Sequence, residues 1–298
     1  MNLTTLILVL VSAGLHPLRE FFIRGSSITE GAKGGLTPEG IVFAVTIYFV
    51  IFSGVHLVVL GVNPLSAIVV WPLALVSGLG IISYHLGILR TLRHGDFSIY
   101  YPITRSSPLF VVIVGFFLLG HQYTLTLILG FALVLVGAFL LQYRPGAGFF
   151  TQPRTLAVAI FVMCAHGLIT LADAEAMKSV EPVAFLFFQY VFLIPAMAIL
   201  LIITRPTGRT VYRHLFIDWV HAPFKTFILG ITSYASYYLI LLVFQMGANV
   251  AAVASVRQIS IPLSVILGGL ILKEARMSKR LGWSLLLAAG VILIIFSK

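Results

Sequence analysis

Apolar stretches long enough to cross a bilayer follow one another along the chain, and the charged residues gather in the short breaks between them. A hydrocarbon core of ~30 Å takes about 20 helical residues. Cutting the chain at its charged or Pro/Gly-marked breaks predicts ten helical spans, at 2–23, 39–60, 67–92, 97–119, 124–143, 155–177, 182–204, 222–246, 248–272 and 279–297. The connections around Gly61-Val62-Asn63-Pro64 and Met246-Gly247 are so short that the helices they join must run antiparallel. The longest breaks are 24–38 and 205–221. The expected fold is an all-α integral membrane protein of ten transmembrane helices.

Composition agrees. The 298 residues are 60% hydrophobic and 9% charged, with mean hydropathy +1.09, which excludes a soluble globule. A net charge of +10 would suggest nucleic acid in a soluble protein. Here the basic residues lie mostly in connections, where they set topology, so a nucleic-acid partner is not expected. Fifteen of the 19 basic residues fall on one side of the ten-span layout, Lys178 and Lys298 fall on the other, and Arg105 and Arg257 lie within spans. The positive-inside rule then puts both termini outside the cytoplasm of a multi-pass protein in the cytoplasmic (inner) membrane. Residues 2–23 lack a basic leading region and read as the first span rather than a signal peptide. The single cysteine, Cys164, lies in an apolar run, permits no intrachain disulfide and reads as packing.

A shift of 152 residues sets Gly78 on Gly230, Gly95 on Gly247, Arg105 on Arg257, Gly130 on Gly282 and Leu133 on Leu285. Pro108 and Pro262 need a shift of 154, so the match is not gapless. The two arginines carry most of its weight. The chain thus divides into a first five-helix repeat, 1–143, a turn-rich linker, 144–154, around Arg144-Pro145-Gly146-Ala147-Gly148, and a second repeat, 155–298. Five is odd, so the second copy is expected to be inverted in the membrane, with a substrate site where the copies meet.

The segment Gly95-Asp96-Phe97-Ser98, Tyr101-Pro102-Ile103, Arg105-Ser106 and Pro108, followed by Leu118-Leu119-Gly120, resembles the fourth span of EamA-type proteins of the drug/metabolite transporter superfamily. Pro262-Leu263 through Leu272-Lys273-Glu274 to Gly282 and Gly290 resembles the matching part of the second EamA repeat. His16 and Asp173 also resemble positions in a subgroup of these transporters. The resemblance covers nearly the whole chain and implies an inverted-repeat transporter. It departs from the family where an acidic residue is common after the fourth span: His121 stands there, while Glu274 keeps the acid in the second copy.

Arg105 and Arg257 lie about eight and nine residues into their spans, which at 1.5 Å per residue is ~12–14 Å deep. An ionisable group at that depth belongs against the bundle interior or a wet cavity. Two readings stand: contact with an anionic substrate, or a structural arginine satisfied by carbonyls freed near Pro102, Pro108 or Pro262. All nine carboxylates lie within a turn or two of a span boundary, which favours the first reading. A phosphate or carboxylate suits arginine's planar fork of donors.

Tyr101, Arg105 and Pro108 share a helix face, as do Arg257, Ser260 and Ser264. Tyr234, Tyr237 and Tyr238 give the eighth span a wall with polar tips, against the plainer reading of packing or interfacial belt. Trp71, Tyr84 and His85 are weaker members of the same set. Among the histidines His166 lies nearest mid-membrane, with His16, His56 and His85 nearer to ends. His166 is a candidate for substrate contact or proton coupling, and an interhelical hydrogen bond is the alternative. His16, His85, Asp173 and Glu175 are candidates for gating or coupling, although Asp173 and Glu175, close to Lys178, also fit a solvated interface. Gly130, Gly137 and the small-residue run from Ala248 to Ser255 are packing devices.

There is no phosphate-cradling glycine loop and no metal-ligand spacing, so neither metal nor cofactor is expected. Gly95-Asp96 without a second intramembrane aspartate argues against an aspartyl intramembrane protease. The expectation is a secondary transporter, not an enzyme, moving a small organic, anionic or zwitterionic metabolite by alternating access. A flippase-like translocator of a phosphate-bearing lipid-linked molecule is the alternative. An intramembrane lipid-phosphate transferase is a more distant one, because it needs clustered aspartates for Mg²⁺. The expected partners are a small-molecule substrate and membrane lipid.

Overall fold

The computed structural model describes the backbone of residues 2–29, 36–94, 96–110, 113–114, 124–142, 152–204, 210–211, 215–248, 250–274 and 276–296. Gly95, Leu118 to His121, the linker core at 144–148 and both chain ends lie outside the described residues. All regular structure among the described residues is helical. In chain order the helices are α1 (Leu3–Leu15), α2 (Pro17–Thr29), α3 (Pro38–Leu60), a 3-10 turn at Pro64–Val70, α4 (Trp71–His94), α5 (Phe97–Arg105), α6 (Leu125–Gln142), α7 (Pro153–Ala176), α8 (Pro182–Ile203), α9 (Ile217–His221), α10 (Pro223–Gln245), α11 (Val250–Val256), a 3-10 turn at Arg257–Ile259, α12 (Ser260–Leu270) and α13 (Met277–Phe296).

Local chemistry sets the ends. Pro38, Pro153, Pro182 and Pro223 each open a helix, where a missing N–H costs nothing. Thr37 caps α3 by accepting from Gly40 N, and Asn2 caps α1 by accepting from Thr5 N. Gly61 and Gly247 close α3 and the turn after α10 in the left-handed region, at φ 64° and 76°, which a side chain disfavours.

Six segments among the described residues are long and apolar enough to cross a membrane: Leu3–Ser26, Pro38–Leu60, Pro64–Arg93, Pro153–Ala176, Pro182–Ile203 and Pro223–Gln245. Their surface is apolar, with Val58 83% and Phe224 74% exposed, while Ser12, Ser77, Arg105, Ser260 and Ser264 are buried. Water would favour the opposite distribution, whereas lipid leaves polar groups no place but the interior. The chain is an all-α, multi-pass membrane protein.

Among the described residues three of the helical paths are broken. Pro17 cannot donate to the preceding turn, and α1 ends at Leu15, with His16 as its cap and α2 beginning at Pro17. Helix α5 ends on Arg105, and the chain resumes helix at Ser107 with Pro108 in the first turn. Arg257 opens the 3-10 turn between α11 and α12, with Pro262 just beyond. Packing brings these breaks together, since α1 lies on the Arg257 turn and α5 lies on both α7 and α12. Around them α4 packs on α7, α10 on α1, α3 on α8 and α6 on α13.

Candidate functional site

The breaks deliver His16, Arg105 and Arg257 to one place, and α7 adds His166. Arg105 is 1% exposed. Its Nη1 donates to His166 Nε2 at 2.7 Å and to His16 Nε2 at 3.0 Å. Nitrogens that accept from a guanidinium carry no proton, so each ring holds its proton on Nδ1. His166 Nδ1 then donates to Ser107 Oγ at 2.7 Å. His16 Nδ1 faces Arg257 Nη2 across 3.5 Å, donor against donor. An acceptor oxygen between those two groups would satisfy both.

Among the described residues the two guanidiniums have no ion-pair partner, and the Nε of each is buried without a hydrogen-bond partner. Two neutral imidazoles orient Arg105 but cancel none of its charge.

A cavity opens beside the cluster. His16, His85, His166, Arg257 and Asp173 border it, together with Phe49, Tyr84, Tyr190 and Tyr237. A smaller space joins Arg105 and Ser107 to Arg257, His166 and Gln258. Phe244 borders both, and also a vestibule between Met177–Glu181 and Gly247.

The remaining sequence candidates separate. Tyr237 donates to Asp173 Oδ2 at 2.5 Å and lines the main cavity. Tyr234, one turn earlier, shares a hydrogen bond of 2.9 Å with His56 Nδ1, and the Tyr238 ring lies 4.7 Å from that histidine. Of the three tyrosines, Tyr237 alone lines the main cavity. Tyr101 is fully buried against Phe97 and lines neither cavity. Ser260 and Ser264 spend their hydroxyls on the carbonyls of Arg257 and Ile261. Asp173 and Glu175 part company, with Asp173 2% exposed in the cavity wall and Glu175 exposed and paired with Lys178 at 2.6 Å.

Sequence reasoning placed Arg19 in a basic break and Glu20 at a span boundary, yet both are buried, and Arg19 lines the main cavity. Arg19 Nη2 donates to Glu20 Oε1 at 2.5 Å, and Tyr84 Oη donates to the same oxygen at 2.9 Å. Their spacing from His16, one helical turn, was the available signal. Ser77, which donates to Asp173 Oδ1 at 2.6 Å, left no signal in the sequence.

At one end of the bundle Glu274 holds the start of α5. Its carboxylate accepts from Phe97 N at 2.7 Å, from Ser98 N at 2.9 Å and from Ser98 Oγ. Arg280 bridges Glu274 and Asp96 at 3.4 and 2.8 Å, and Arg24 lies 3.7 Å from Asp96. The loop, the last helix, α2 and α5 are thereby tied together.

Compared with known proteins, the chain matches no family model and no curated protein. A solved structure described only as "Crystal structure of protein" superposes with a TM-score of 0.64 at 16% identity, covering 98% of this chain and 96% of that one. The likeness is one of fold over nearly the full length of both chains.

Proposed function

We propose that the protein is a secondary transporter of the drug/metabolite transporter type, moving a small organic anion or zwitterion across the cytoplasmic membrane by alternating access. The observation that carries this reading is His16 set between two buried guanidiniums, 3.0 Å from Arg105 and 3.5 Å from Arg257, where a neutral ring has an acceptor for only one of them and a cavity lies alongside. A bound phosphate or carboxylate supplies the missing acceptor and the missing charge together.

Ten spans in two inverted five-helix repeats is the architecture we propose around that site. The packing supports it, because an exchange of halves maps the contacts onto one another: α4 on α7 becomes α10 on α1, while α3 on α8, α5 on α12 and α6 on α13 map onto themselves. Arginines at two helix breaks fit the discontinuous helices that line transporter sites. Alternating access is further supported by the contrast between the ends, one tied by Glu274, Arg280 and Asp96, the other opening as a vestibule past Phe244.

Calorimetry with inorganic phosphate and acetate on the parent, Arg105→Gln, Arg257→Gln and the double variant, each checked by gel filtration, tests the site. If both arginines serve one anion, the double variant loses less than the sum of the single losses. Arg257→Lys keeps the charge but not the fork and does not restore affinity. Well-folded single variants that bind as tightly as the parent would return the arginines to the scaffold. Uptake of the bound anion into proteoliposomes, absent in the double variant, tests transport itself.

A further inference from the structure

The main cavity carries a second pole that the anion site does not use. Asp173 is 2% exposed, and no cation among the described residues pairs with it. Its oxygens accept one hydrogen bond each, from Ser77 and Tyr237. An ionised carboxylate accepts about four, so roughly half of its capacity is open in a wall it shares with Arg257. His85, also 2% exposed, borders the same space with its Nδ1 unpartnered among the described residues. The rings of Phe49 and Tyr190, stacked at 4.1 Å, form part of the lining, and aromatic walls suit an ammonium group.

Charge sharpens the assignment. Arg19 and Glu20 cancel as an ion pair, which leaves two positive charges at Arg105 and Arg257 against one negative at Asp173. A simple dianion matches the arginines but leaves Asp173 as a buried charge facing another anion. A ligand with a dianion at one end and an ammonium at the other pairs all three.

We propose that Asp173, with Ser77 and Tyr237, receives the ammonium of the transported molecule, so that the substrate is an amino-bearing phosphate-type anion. The assignment rests on the anion-site reading above. An ammonium beside a phosphate occurs in a free metabolite, as a monoester dianion, and in a lipid headgroup, as a diester with one negative charge, and the test separates them.

Purified full-length protein is titrated calorimetrically with ethyl phosphate, phosphoethanolamine and detergent-dispersed lysophosphatidylethanolamine. The parent is expected to bind phosphoethanolamine about tenfold tighter than ethyl phosphate, the worth of one charge-assisted contact. Asp173→Asn should bring the two within about twofold, with ethyl phosphate binding retained, and Tyr237→Phe should narrow the gap in part. Where Asp173→Asn does not run as a single gel-filtration peak, Ser77→Ala and Tyr237→Phe carry the comparison. Equal affinities for the two soluble probes in the parent would overturn the ammonium site and leave the anion site standing. An advantage for phosphoethanolamine that survives Asp173→Asn would overturn it too. Failure of the parent to bind any probe removes the anion site, and this assignment with it. Tighter binding of the lysolipid than of phosphoethanolamine, lost in Asp173→Asn, supports the pole and identifies its ligand as a headgroup. The reverse order supports it for a free metabolite.

Discussion

Glu274 accepts the backbone N–H of Phe97 at 2.7 Å, so a loop near the end of the chain caps the helix that ends on Arg105. The sequence distance between them is spanned by a contact that closes one end of the bundle. Arg280, donating to both Ser98 Oγ and Asp96, adds a second tie to the same helix start.

Removing that cap should be felt as both stability and function. Glu274→Ala strands the N–H groups of Phe97 and Ser98, at a cost of about 1–3 kcal/mol. Glu274→Gln keeps the acceptor oxygen and should lose less. Thermal unfolding in detergent ranks the three proteins parent, Gln, Ala. A Tm for Glu274→Ala equal to the parent's would show that the cap holds nothing.

Asp218 gives a pH signature outside the spans. It accepts from Thr37 N at 3.0 Å and from Thr37 Oγ at 3.1 Å at the start of α3, and burial pushes its carboxyl above the ordinary 3.8 despite those donors. The folded state therefore binds its proton more tightly than the unfolded chain does. Its contribution to stability is greatest below the unfolded value and falls as pH rises through the folded one. Asp218→Asn should flatten the Tm profile above pH 4, measured against the parent. An unchanged slope would mean that the carboxyl does not titrate across the transition.

Gly290 marks the contact of α13 with α6. A Cβ there would meet Gly130 O and Val134 N at 2.7 Å, both backbone atoms that cannot turn aside. Gly290→Val should cost about 1–3 kcal/mol by forcing the helices apart, read as a lower Tm and broader elution. Gly282, with open space around its Cβ position, is the control: Gly282→Ala should match the parent.

Topology follows from the charge count. Fifteen basic residues mark one face of the proposed ten-span layout, so reporters before Met1 and after Lys298 should both read as non-cytoplasmic. A cytoplasmic reading at either end would put the span count or the charge argument in error.

Hydrophobic length, proline placement and charge bias made the helices and the membrane class legible from sequence, because each acts within one segment and needs no partner. Arg105 and Arg257 were conspicuous for the same reason, as charges where no local neighbour could satisfy them. Tertiary packing alone decided the rest. It set His16 between the two arginines, turned Tyr237 to Asp173 and Tyr234 to His56, and drew Arg19 and Glu20 inside. Helical spacing fixes which residues share a face, but the partner helix fixes what that face meets. For some residues of this chain the partner came from the other half, where a hydrogen bond such as Ser12 to Ser236 joins residues that no local pattern relates.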